Sequence, residues 1–359
     1  MQVFLYFLGT VMIGGLLGWY AASAADGWGI LVPLAELWSA YYLHVLLHEA
    51  GHLLCGRLCG YTLTSFRIGK WMLVRREGRW TFSRFHIPGT GGQCLMCPPE
   101  GDDSPIVLYN LGGGLLNLVT AGLAGLLVWL CPLPRLVRSF FVLFAVFGVL
   151  SGLANLLPMR VGGLDNDGRN ALTLGKHPLK RWALAVQLRI NAAQAQGKAL
   201  SELPEEFFAP LDSADWNDPL VGAVACIYAG YKMERGDFAG AKADLDRLLD
   251  CPKLNAIHRY ECVLEQRCCR LLLGETELDP LEKPVEKFRK ATRRYFIARL
   301  RQECIQALFL EHDLGKAQKI REELEKRGQK YPYPGEIAGE KAMLDRTLAT
   351  FKKSSESRT

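Results

Sequence analysis

Charge is scarce in the first half of this 359-residue chain. Lys, Arg, Asp and Glu number 20 in residues 1–169 and 60 in residues 170–359. That imbalance excludes a uniformly soluble globule and separates a membrane-type half from a soluble one. Residues 1–25, 106–134 and 139–159 contain none of the four, and residues 30–56 are apolar apart from Glu36, His44 and the group His48, Glu49 and His52. Each run reaches the roughly 20 residues needed to cross a hydrocarbon core of about 30 Å.

Other absences narrow the field. A clustered basic face is missing, because the net charge of +6 is spread along the chain, so a nucleic-acid partner is not expected. Residues 1–25 lack the basic start of a signal peptide, which favours a retained span although Ala22-Ser23-Ala24 resembles a cleavage site. No disulfide framework can be read either. The 11 cysteines are odd in number and irregularly spaced, which fits a reducing compartment for the second half. Cys94-Leu95-Met96-Cys97 has no second CxxC nearby, and we read it as apolar packing rather than a zinc knuckle.

The pattern predicts a polytopic α-helical membrane protein with about four transmembrane helices. Residues 1–170 form its membrane domain, with spans at about 2–23, 30–56, 106–131 and 138–158. The loop 57–105 carries seven basic residues (Arg57, Arg67, Lys70, Arg75, Arg76, Arg79 and Arg84), whereas residues 21–29 carry none. The positive-inside rule then places both termini and that loop in the cytosol. SFRIGKWMLVRR and RWTFSRFHI within the loop predict a small sheet against the membrane. The following IPGTGGQCLM stretch offers an edge strand to an extended peptide.

A soluble α-helical hairpin domain is expected over residues 176–352, with a disordered tail at 353–359. Gly236-Asp237, Gly274-Glu275 and His312-Asp313 recur at 38-residue intervals in turn-like positions, a spacing similar to tetratricopeptide-type repeats. Such an array reads either as a docking surface for a protein partner or as a plain helical bundle.

His48, Glu49 and His52 spell HEAGH. Histidines four apart project from one face of a helix and can reach one Zn²⁺, while the adjacent Glu49 can take a proton from metal-activated water. A satisfied structural histidine pair is the alternative. Idle ionisable groups in a transmembrane run are costly, which favours function. His44 lies on the same stripe, but three ligands spaced about 6 Å apart along one helix cannot share one metal. It is expected to line the site or support a ligand. A third ligand should lie near the end of the fourth span, in ANLLPMRVGGLDNDGRN. There Pro158 leaves the carbonyl of residue 154 without its helical donor, and Asp165 and Asp167 follow.

HEAGH together with a later NLLP and an Asp-Gly resembles the site-2 protease family of intramembrane zinc metalloproteases, over residues 40–170. The resemblance implies a zinc metalloendopeptidase of regulated intramembrane proteolysis, in a bacterial cell membrane. Its partners would be the lipid bilayer and a transmembrane protein or peptide substrate. His48, His52 and an Asp would hold one Zn²⁺ per chain, and Glu49 would be the catalytic base. Asn155 and Pro158 match the second motif. Gly113-Gly114-Leu115-Leu116-Asn117 is similar to the family's small-residue segment, with Gly114 where proline is usual; Asn117 would line the site and hold substrate or an oxyanion. The spacing after Pro158 is longer than the family's, so Asp165 and Asp167 compete. Glycine after the ligand favours Asp167, with Asp165 the alternative. The other reading is a catalytically inactive membrane scaffold whose helical tail recruits a partner.

Overall fold

The computed structural model describes residues 14–15, 18, 31–87, 90–101, 105–161 and 164–356. It is mostly helical, with a small antiparallel sheet, and forms two compact units. One takes the chain up to Gly69 and Thr90–Pro178; the other takes Lys70–Gly89 and Leu179–Thr359.

In the first unit, helix α1 (Leu31–Leu58) leads into strand β1 (Thr62–Ile68), and after an interruption come β4 (Gly92–Cys97), α2 (Ile106–Leu130) and α3 (Arg135–Leu156). A two-stranded ribbon, β5 (Arg160–Val161) with β6 (Leu164–Asp165), precedes the short helix α4 (Asp167–Leu174). Among the described residues, two helices are long and apolar enough to cross a membrane, α2 and α3. They differ from the four spans expected. The run 2–23 lies outside the described residues apart from Gly14, Gly15 and Gly18. The run 30–56 is α1, whose 28 residues extend about 42 Å, but its hydropathy is broken by Glu36, the three histidines, Glu49 and Arg57.

Three consecutive glycines set the packing of α2. Residues on a helix are about 100° apart, so Gly112, Gly113 and Gly114 face three different neighbours. A Cβ on Gly112 would run into the Gly51 backbone of α1, one on Gly113 would lie 2.6 Å from atoms of His48 and His52, and one on Gly114 would lie 2.6 Å from Leu156 of α3. Small residues thus let backbones and imidazoles close around one point, as membrane helices do where apolar burial supplies no driving force.

β4 pairs with β1 along one edge, in antiparallel register, and among the described residues no strand pairs with its other edge. It follows α1. A Cβ on Gly91 would meet Tyr41 and Val45, one on Gly92 would meet Glu49, and Gly56 of α1 would touch Met96.

The loop 57–105, read from the sequence as one β element, is divided between the units. Strands β2 (Trp71–Arg76) and β3 (Arg79–Arg84) form a hairpin that belongs with the helical unit. Met72 and Val74 enter its core, Glu77 N donates to Ala195 O (3.1 Å), and Gln196 Nε2 donates to Arg75 O (2.9 Å). Amphipathic β-sequence shows which face is apolar, not which apolar body covers it.

Helices α5 (Pro178–Ala195), α6 (Pro219–Arg235), α7 (Phe238–Leu249), α8 (Ala256–Leu272), α9 (Lys283–Thr292), α10 (Ala298–Phe309), α11 (Leu314–Gly328) and α12 (Pro334–Glu356) complete the second unit. The 38-residue recurrence falls on its hairpin turns: Gly236, Gly274 and His312 all have positive φ, at 87°, 92° and 53°. Asp237 caps α7 by accepting from Gly240 N, and Asp313 caps α11 by accepting from Lys316 N, both at 2.8 Å. Residues 353–356, expected to begin a disordered tail, continue helix α12, and residues 357–359 lie outside the described residues.

Candidate metal centre

Helix α1 presents His48 and His52 on one face, and α4 brings Asp167 against them. His48 Nε2 and His52 Nε2 are 3.1 Å apart, and Asp167 Oδ2 lies 3.2 Å from the first and 3.4 Å from the second. Ligands of a tetrahedral zinc at roughly 2.0–2.1 Å are about 3.3 Å from one another, so the three atoms match one face of such a site. Hydrogen bonding favours the same assignment. His52 Nδ1 lies 2.8 Å from the Tyr109 carbonyl, which only accepts, so Nδ1 carries the proton and Nε2 presents a lone pair. His52 Nε2 and Asp167 Oδ2 therefore face each other as two acceptors, an arrangement that a cation satisfies.

Asp165 is elsewhere. Its Oδ1 is 2.6 Å from Arg160 Nε and 3.0 Å from Arg169 Nε, so it serves a local charge cluster. Glu49 is buried on α1 next to His48 and His52, with the backbone of β4 at Gly92 closing over its carboxyl. Arg67 holds that turn. Its guanidinium is fully buried and donates to Gly69 O (2.6 Å), Thr90 Oγ1 (2.5 Å) and Gly92 O (3.2 Å).

The remaining sequence candidates have other partners. His44 is 1% exposed, with Nε2 2.9 Å from Phe144 O and Nδ1 3.2 Å from Asn117 Oδ1. It ties α1 to α2 and α3 rather than lining an open site. Asn117, which the family resemblance placed at the substrate, also donates to Ser151 Oγ (3.2 Å) and is fully buried. Asn155 donates back to Ser151 O within its own helix (2.9 Å). Cys94 and Cys97 lie in β4, and burial pushes the Cys94 thiol up to about 12, in keeping with a packing role.

Two contributors escaped the sequence reading. Tyr109 orients His52 through its carbonyl and donates its hydroxyl to Cys94 O (2.9 Å), joining His52 to β4. A backbone carbonyl leaves no trace in side-chain type, so no signal pointed to it. Asn166 had one: it precedes Asp-Gly where a helix starts, a capping position. Its Nδ2 donates to Ala154 O (2.8 Å) and Leu157 O (2.7 Å), while Oδ1 accepts from Met159 N (3.0 Å) and Arg169 N (3.1 Å). The carbonyl that Pro158 leaves free is thus the one Asn166 takes up, and all four valences of this amide pin α4 to the end of α3. Asn166→Ala removes a cap worth about 1 kcal/mol and strands part-buried backbone groups. Zinc affinity is expected to fall about 10–100-fold, as for other groups that orient ligands. A competition titration against a chromophoric chelator measures it, and wild-type affinity in the variant would remove Asn166 from the site.

No protein-family model, curated protein or solved structure matches this chain.

Proposed function

We propose that the chain is a zinc-dependent intramembrane endopeptidase of the site-2 protease type, hydrolysing peptide bonds of membrane-embedded substrates. One observation carries the reading: His48 Nε2, His52 Nε2 and Asp167 Oδ2 converge at 3.1–3.4 Å beside Glu49, where α1 packs against two apolar helices. A soluble zinc hydrolase would bury those apolar helices, whereas α2 and α3 leave Leu123, Trp129, Leu130 and Leu136 exposed. We read α1 and the run 2–23 as further spans, giving four, with both termini cytosolic in a bacterial cell membrane.

Bound zinc would supply a Lewis acid that lowers the pKa of water and polarises a carbonyl. Glu49 takes the proton of the attacking water and passes it to the leaving amine. His52 stays in the required tautomer through Tyr109. The unpaired edge of β4, held by Arg67 and Tyr109, receives the substrate as an added strand alongside Glu49. The presence of Glu49 weighs against an inactive scaffold, since a purely structural zinc needs no base.

The purified protein, co-reconstituted into lipid vesicles with a panel of single-span peptides, should cut within the span, stop when zinc is chelated and resume when zinc is returned. Proline across residues 91–96 should slow cleavage by blocking strand addition. A zinc-loaded protein that cuts none of the panel would favour the scaffold reading.

A further inference from the structure

The helical unit contains a cavity of about 320 Å³, at the small end of the range for ligand sites. Five carboxyls line it (Glu234, Glu261, Glu265, Glu336 and Glu340) against one guanidinium, Arg301. Behind the wall, Arg299 pairs with Glu261. Arg301 Nε and Nη2 pair with Glu340 Oε2 and Glu265 Oε1, each at 2.7 Å. His258 also lines the cavity, and burial lowers its pKa.

Glu234 and Glu336 are left over. Glu234, 3% exposed, accepts from Ser201 N (2.8 Å), and Glu336 accepts from Tyr331 Oη (3.1 Å). Neither has a cationic partner among the described residues. Burial, with added repulsion from Glu340, pushes the first up to about 7 and the second up to about 8. A second feature is independent of these carboxyls. Arg301 is 97% buried, yet its Nη1 has no partner among the described residues. An unsatisfied buried donor of this kind calls for an acceptor.

We propose that this cavity binds a lysine or arginine side chain on a peptide segment of a partner protein. The cationic head lies between Glu234 and Glu336, and a main-chain carbonyl of the same segment accepts from Arg301 Nη1. Ile227, Met233, Leu245 and Met343 in the wall suit the methylene stem of such a side chain. A free metal cation would leave both that apolar lining and the Arg301 donor unused. The assignment is independent of the peptidase reading and survives or fails apart from it.

The test uses the full-length protein in detergent and two fluorescein-labelled Gly/Ser octapeptides with blocked ends, one carrying a central arginine and the other citrulline. Fluorescence anisotropy should show the arginine peptide binding at least about tenfold tighter. Glu336→Gln and Glu234→Gln should each abolish that preference. Glutamine in place of Glu336 keeps the Tyr331 hydrogen bond, so its melting temperature should not fall, and a binding loss there cannot be put down to unfolding. Equal binding of the two peptides, no binding to the wild type, or wild-type preference in both variants would overturn the proposal.

Discussion

Asp167→Asn is expected to reduce zinc from about one per chain to near zero, while Asp165→Asn retains it. The two residues are separated by a single position, and their surroundings decide the outcome. Asp167 Oδ2 stands 3.2 and 3.4 Å from the two imidazole nitrogens, whereas Asp165 answers Arg160 and Arg169. Asparagine preserves shape and removes charge. It also takes away one of the three candidate ligands, so affinity should fall by more than the 10–100-fold typical of groups that only orient ligands. Metal analysis of the detergent-purified variants measures this. Zinc retained in Asp167→Asn and lost in Asp165→Asn would reverse the ligand assignment.

Glu49→Gln should do the opposite. The metal stays, because none of the three convergent atoms belongs to Glu49, and cleavage drops by about 10²–10⁴-fold, the usual contribution of a positioned proton-transfer group. Glutamine has the size to sit under Gly92 without displacing β4, so loss of activity cannot be ascribed to repacking. Cleavage in vesicles and zinc content, measured on the same preparation, read the two effects separately. Undiminished cleavage would show that Glu49 is not the base.

Much of the site could be read locally. Helical spacing put His48 and His52 on one face, and the missing donor of Pro158 marked the carbonyl of residue 154, which Asn166 captures. The 38-residue recurrence located three left-handed turns, because glycine and capping aspartate are demanded by backbone geometry within a few residues. Asn117, Asn155 and His44 were harder. A polar side chain in an apolar run signals that it must be satisfied, but not by whom. His44 and Asn117 satisfy each other together with Phe144 and Ser151. The loop 57–105 went unseen as two parts, since alternating apolar residues suit either unit equally well.

Sequence alone determined what depends on neighbours in the chain: the apolar runs, the histidine pair with Glu49 beside it, the turn positions and the charge contrast between the halves. Tertiary structure decided what depends on direction. It selected Asp167 over Asp165, turned the three glycines of α2 toward three different partners, and set β4 against Glu49. It also gathered glutamates from three helices, α6, α8 and α12, around one cavity. The physical reason is range: backbone propensity and helical periodicity act over a few residues, whereas metal coordination and ion pairing require atoms within about 4 Å, and only the folded chain sets such distances.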